Sequence, residues 1–287
     1  MKNFLQCLLT VLLFVTTLLF ASAPACSAED NPQQDIQKYS AKIQLNPNDA
    51  DAYYNRGCAY AELNQHERAI QDYTKAIQLK SNFAFAYYNR GNSYKKLNQH
   101  ERAIQDYDKA IQLNPNDVKA YFNRGGTYYE LNRNDLAIQD LSKAIEIDPN
   151  YARAYYARGT IHNNIKQYER AIQDFNAVIR INPNDATAYF IRGYAYVKLG
   201  RHERAIQDYD AGIQLNPNDA EAYFIRGCTY DELKQYERAI NDFDAAIRIN
   251  PNFAEAYFLR GACYQKLGDE AKAQADFAKA KELGYNG

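Results

Sequence analysis

The chain is short of the residues from which active sites are built. It has four histidines, five cysteines, one methionine and no tryptophan among 287 residues. It contains no CxxC and no Cys/His cluster with zinc-ligand spacing, which argues against a structural or catalytic zinc site. A Gly-rich phosphate loop, a nucleophile elbow and a paired-carboxylate motif are missing too, so an enzyme is not expected and no cofactor is implied. Basic and acidic residues nearly balance, 34 against 35, and no block of one sign occurs. Nucleic acid and anionic membrane surfaces are therefore poor partners for the body of the chain.

Long apolar runs are lacking except at the start. Residues 4–20 carry no charge, Lys2 precedes them and Ala23-Pro24-Ala25 follows. That layout predicts a signal peptide over residues 1–25, cleaved near Ala25 or Ala28. The run is almost long enough to span a bilayer, which leaves an uncleaved N-terminal anchor as the alternative. Ala23-Pro24-Ala25-Cys26 also resembles a bacterial lipoprotein signal with Cys26 as the lipidated residue, departing from it at Ala23. The expected location is exported: periplasm, cell envelope or secreted, with membrane contact only through this segment or a lipid on Cys26.

Proline is scarce and confined. Six of the eight prolines occupy one slot of a pattern that recurs every 34 residues from Ala50. Seven repeats start at Ala50, Ala84, Val118, Ala152, Ala186, Ala220 and Ala254, and their positions are numbered 1 to 34. Positions 4, 7, 8, 11 and 14 make one helical stripe, and 20, 21, 24, 27 and 28 a second. Each repeat thus reads as a helix A and a helix B, ended by Asn-Pro, with Ser81 replacing proline at a softer first boundary. Position 8 is glycine and position 20 alanine in all seven, where the helices must approach closely. Residues 26–34 read as a linker, and residues 35–49 match the second half of a repeat, a solitary helix B capping the seven repeats of residues 50–287.

The small residues, the tyrosines and the proline slot together resemble the tetratricopeptide repeat (TPR) family, with Tyr where that family has Trp at position 4. The resemblance implies an all-α, right-handed superhelical solenoid of helix-turn-helix units, with helices A lining the concave face. It also implies a non-catalytic protein partner. The family's clamp for chaperone tails needs Lys at position 5, which is aromatic throughout this chain.

One recurrent pair points to a structural role. Position 7 is Arg56, Arg90, Arg124, Arg158, Arg192, Arg226 and Arg260; position 23 is Asp72, Asp106, Asp140, Asp174, Asp208, Asp242 and Asp276. An arginine on the packed stripe needs a partner, and these aspartates are the candidates; the alternative is an arginine that snorkels to water past an exposed aspartate. His66, His100 and His202 recur at position 17 and belong to the scaffold, and His162 reads as an interior residue. Cys228 and Cys263 sit on adjacent helices A, as small packed residues or as a bridge.

Variation is concentrated on helices A at positions 2, 9, 12 and 13. The position 5 aromatics, among them Tyr54, Tyr88, Phe122 and Phe224, read either as core or as the floor of a groove. Position 6 changes from Asn55, Asn89 and Asn123 to Ile191, Ile225 and Leu259. An amide can donate to and accept from a peptide unit. The expected function is a scaffold whose concave groove holds an extended peptide or protein segment through the asparagines and reads it at Ile191, Phe224, Ile225 and Leu259. The alternative is self-association through the solenoid ends.

Overall fold

The computed structural model describes residues 31–285. The expected signal segment and Cys26 lie outside the described residues. Fifteen helices and no strand are found among the described residues. The first, α1 (Pro32–Leu45), begins inside the expected linker, because Asn31 caps Gln33 N and Pro32 takes the first helical position. Pairs of helices A and B follow: α2 (Ala50–Glu62) and α3 (His66–Leu79), α4 (Ala84–Lys96) and α5 (His100–Leu113), α6 (Val118–Glu130) and α7 (Asn134–Ile147), α8 (Ala152–Asn164) and α9 (Tyr168–Ile181). Then come α10 (Ala186–Lys198) and α11 (His202–Leu215), α12 (Ala220–Glu232) and α13 (Tyr236–Ile249), α14 (Ala254–Lys266) and α15 (Glu270–Glu282). The chain divides into two compact units between Ile161 and His162, within α8.

Within a repeat, helix B folds back on helix A through a turn that holds one residue in the left-handed region. Position 15 has positive φ in every repeat: Asn64, Asn98, Asn132, Lys166, Gly200, Lys234 and Gly268. The backbone N–H of the next residue reaches back to the helix A carbonyl at position 11, as in Gln65 N to Tyr60 O at 2.8 Å. The two helices then meet at position 8, where a Cβ on Gly91 would come within 2.9 Å of Tyr107 Cε1. Alanines at position 20 are fully buried beside it.

Between repeats the turn ends in one of two ways. Asp49, Asp117, Asp185 and Asp219 accept backbone N–H groups of the following helix A. Phe83 and Phe253 make no such cap, and each instead packs its ring on the position 5 aromatic of its own repeat, Tyr54 at 4.8 Å and Phe224 at 4.7 Å. Ser81 makes the turn without proline: Phe83 N still bonds Lys80 O, as Asp117 N bonds Asn114 O. The boundary expected to be softer keeps this backbone hydrogen bond but, with Lys80 in the place of Asn114, lacks the side-chain bond that Asn116 N makes to Asn114 Oδ1.

Each unit has its own core. In residues 31–161 the clusters gather around Tyr73, Tyr88 with Tyr107, and Phe122 with Leu141. In residues 162–285 one cluster joins Tyr209, Phe224 and Phe243 to Cys228 and Cys263.

Candidate functional site

The arginine at position 7 is the most heavily bonded side chain of the repeat. Arg124 Nε and Nη2 donate to both oxygens of Asp140 at 2.7 Å. Arg56, Arg90, Arg192, Arg226 and Arg260 do the same to Asp72, Asp106, Asp208, Asp242 and Asp276. The carboxylate hydrogen bonds raise Arg226 and Arg260 above the ordinary guanidinium value. Arg158 and Asp174 fall on opposite sides of the unit division; Asp174 lies 3.8 Å from His162 Nε2. The position 4 tyrosine lies against each guanidinium, and for Arg56, Arg90 and Arg124 the position 11 tyrosine does too, as Tyr53 and Tyr60 do for Arg56.

The remaining nitrogen of the same arginine has a second partner that sequence reasoning missed. Nη1 donates to position 25 of the preceding helix B: Arg56 to Ser40, Arg90 to Thr74, Arg124 to Asp108, Arg158 to Ser142, Arg192 to Asn176, Arg226 to Asp210 and Arg260 to Asp244. Every one of these residues can accept a hydrogen bond, which is the signal that sequence alone offered. The series ends at Ala278, which has no acceptor.

The position 6 side chains do not line an open groove. Asn89 and Asn123 are 4% and 3% exposed. Asn89 Nδ2 donates to Tyr54 Oη at 2.9 Å, and Asn123 Nδ2 to Tyr88 Oη at 2.8 Å and Asn92 Oδ1 at 2.9 Å. Asn55 turns to the backbone carbonyl of Asp51. Ile191, Phe224 and Ile225 are buried, as are Tyr88 and Phe122, while Tyr54 and Leu259 are half-buried. The physical reason is that position 6 packs against position 5 of the preceding helix A. Where that helix offers Tyr54 or Tyr88 the residue is Asn89 or Asn123; where it offers Phe122, Phe190 or Phe224 the residue is Ala157, Ile225 or Leu259. In those repeats the change from amide to aliphatic follows a change of packing partner, whereas Ile191 follows Tyr156 without that match.

The more open stripe of helices A lies at positions 2 and 13, while position 12 includes the buried Asn163 and Val197. Phe85 is 56% exposed, Asp51 and Lys119 are exposed, and Lys96, Glu130 and Glu232 alternate in sign at position 13. Arg153 lies over the Phe122 ring at 4.9 Å. Cys228 and Cys263 are buried and not joined by a disulfide. Burial, then Asp231, pushes the Cys263 thiol well up, and its sulfur lies 3.6 Å from Asp231 Oδ1. In repeat 7 Tyr285 stacks on Phe258 at 4.6 Å, the place Phe253 takes on Phe224. Among the described residues no His, Cys, Asp and Glu group is placed to hold a metal, and no helix is long and apolar enough to cross a membrane.

A chain of copied helix hairpins, bolted to one another by arginine and varied along an exposed stripe, has the architecture of a tandem-repeat binding protein. Tetratricopeptide repeat family profiles match residues 50–83, 84–117, 106–139, 159–228 and 254–283, and a TPR repeat profile matches 125–165 and 227–268. The chain belongs to the tetratricopeptide repeat family. Among solved structures it is similar to YrrB, described as a TPR protein with an unusual peptide-binding site, at 27% identity over 65% of this chain and 96% of that one, TM-score 0.57. It is also similar to MamA, at 27% identity over 60% and 94% of the two chains, TM-score 0.56. The C-terminal part of a TPR repeat-containing protein from Cytophaga hutchinsonii shares the fold, with TM-score 0.73 at 20% identity over 82% and 96%. No curated protein shows a significant match.

Proposed function

We propose that this protein is a non-catalytic scaffold that binds an extended protein or peptide segment along the open stripe of its helices A. One observation carries the reading: positions 7, 8, 20 and 23 are copied from repeat to repeat, while positions 2 and 13 of helices A range over acidic, basic, polar and apolar residues. A purely architectural stack has no need of Phe85 in water. The similarity to YrrB, a TPR protein with a peptide-binding site, supports the same class of ligand. Binding then rests on Phe85, Lys96, Lys119 and Glu130 in the N-terminal unit rather than on the buried asparagine row.

The uncharged run at residues 4–20 and the small residues after it support an exported scaffold, freed by cleavage near Ala25 or Ala28 or held by a lipid on Cys26. Cross-linking in the native host, followed by mass spectrometry, identifies the partner and the mature N-terminus together. Titration of that partner against Phe85→Asp with Lys119→Glu is expected to show at least about tenfold weaker binding with helicity unchanged. Unchanged affinity places the partner elsewhere and sinks the stripe as the binding face.

A further inference from the structure

Three histidines at position 17 share a location in their repeats, and two of them are met by a carboxylate from position 13 of the next. Glu130 Oε2 lies 3.4 Å from His100 Nδ1, and its other oxygen 3.2 Å from Lys95 Nζ. Glu232 Oε2 lies 3.1 Å from His202 Nε2. At the first junction that position is Lys96, so His66 faces a cation instead of an anion. His66 Nδ1 is buried with no hydrogen-bond partner. Burial, then Lys96, holds its imidazole below the ordinary histidine value.

A cavity of about 270 Å³ opens at this junction. Its walls are Cys58, Ala61 and Tyr73 on one side and the polar groups of His66, Asn92, Ser93 and Lys96 on the other. Glu62 also borders it, its carboxyl raised by burial and then by Asp35.

We propose that this cavity receives an acidic side chain of the bound segment, a glutamate or aspartate whose carboxylate sits between His66 and Lys96 and gives His66 the anionic neighbour that Glu130 gives His100. The inference rests on the segment-binding reading above and adds to it a required chemistry at one place. A carboxylate there gives the unbonded His66 imidazole and the Lys96 ammonium a shared, charge-assisted partner. The volume admits one side chain, so the site reads a single residue.

The test uses the full protein and two short peptides, N-acetylated and C-amidated, identical except for a central Glu or Gln. NMR of the His66 ring is followed during each titration. The Glu peptide is expected to shift the His66 resonances, raise its titration midpoint and bind about tenfold tighter than the Gln peptide. Lys96→Glu supplies the carboxylate from within the chain. It should raise the His66 midpoint without ligand and abolish the Glu preference; Lys96→Gln, which adds no charge, should abolish the preference alone. Equal affinity for both peptides, or an unmoved His66, overturns the proposal. So does acetate alone if it matches the Glu peptide, since the site then holds a free anion. A cross-linked partner that still binds Lys96→Glu at full strength leaves the scaffold reading intact while removing this one.

Discussion

The amide of Asn123 donates to the hydroxyl of Tyr88, 2.8 Å away and one helix A earlier. Both groups are buried, so each satisfies the other where water cannot. Replacing Asn123 by Ala removes one hydrogen bond of the Tyr88 hydroxyl, which keeps Asn92 beside it, and should cost about 0.5–1.5 kcal/mol in urea unfolding. The double change Tyr88→Phe with Asn123→Leu copies the pairing at Phe224 and Leu259. It should cost less than the two single changes summed, by more than about 0.5 kcal/mol; strict additivity would mean that the hydrogen bond contributes nothing.

Arg124 holds two carboxylates of different kind. The Asp140 side chain is 6% exposed and that of Asp108 is 52%. Asp140→Ala removes the buried, two-bonded partner, leaves the half-buried guanidinium with only the exposed Asp108, and should destabilise by up to about 3–5 kcal/mol. Asp108→Ala removes a solvent-screened partner and should cost at most about 1 kcal/mol. Equal losses in chemical denaturation would show that burial does not set the difference.

Helix contact at position 8 depends on what faces it. A Cβ at Gly91 meets Tyr107 Cε1 at 2.9 Å and the Ala103 carbonyl at 3.2 Å, whereas one at Gly125 meets nothing nearer than 3.2 Å because Leu141 replaces the ring. Overpacking of about 1–3 kcal/mol is expected for Gly91→Ala. Gly125→Ala should be milder, the helix preference of alanine over glycine, about 1 kcal/mol, offsetting a smaller clash. Thermal unfolding of the two variants ranks them.

His66 gives the fold a sensitivity to mild acid. Its folded-state value lies below the ordinary 6.5, so the unfolded chain binds the proton more readily than the folded one. Stability contributed by the neutral ring is complete above 6.5 and falls as pH drops from there through the lower folded value. His66→Gln should flatten the stability profile across that window, measured by urea unfolding at successive pH values. An unchanged slope would show that another group carries it.

The repeat, its two helices and the close contact of position 8 with position 20 were legible in the sequence, because a 34-residue period samples each position seven times. The burial of Asn89 and Asn123 was not. Helical periodicity says which residues share a face, but whether a face between two stripes meets solvent or the next helix depends on how repeats stack. The second partner of each arginine was hidden for another reason. Ser40, Thr74, Asp108 and Asn176 share acceptor chemistry without sharing an identity, so a search for repeated letters passes over them. Lys96 was equally inconspicuous until Glu130 and Glu232 showed what its position supplies elsewhere.

The arginine that reaches backwards by one repeat makes the length of the chain negotiable. Excision of residues 84–117 would bring Arg124 to Thr74, which now accepts from Arg90, and Asn123 to Tyr54, which now accepts from Asn89. No buried donor would be orphaned by the cut. Glu130 would arrive opposite His66, closing the first junction as it closes the second today. Loss or duplication of whole repeats can therefore change the span of the solenoid while the joints heal themselves, and the same event decides whether the His66 cavity is open or shut.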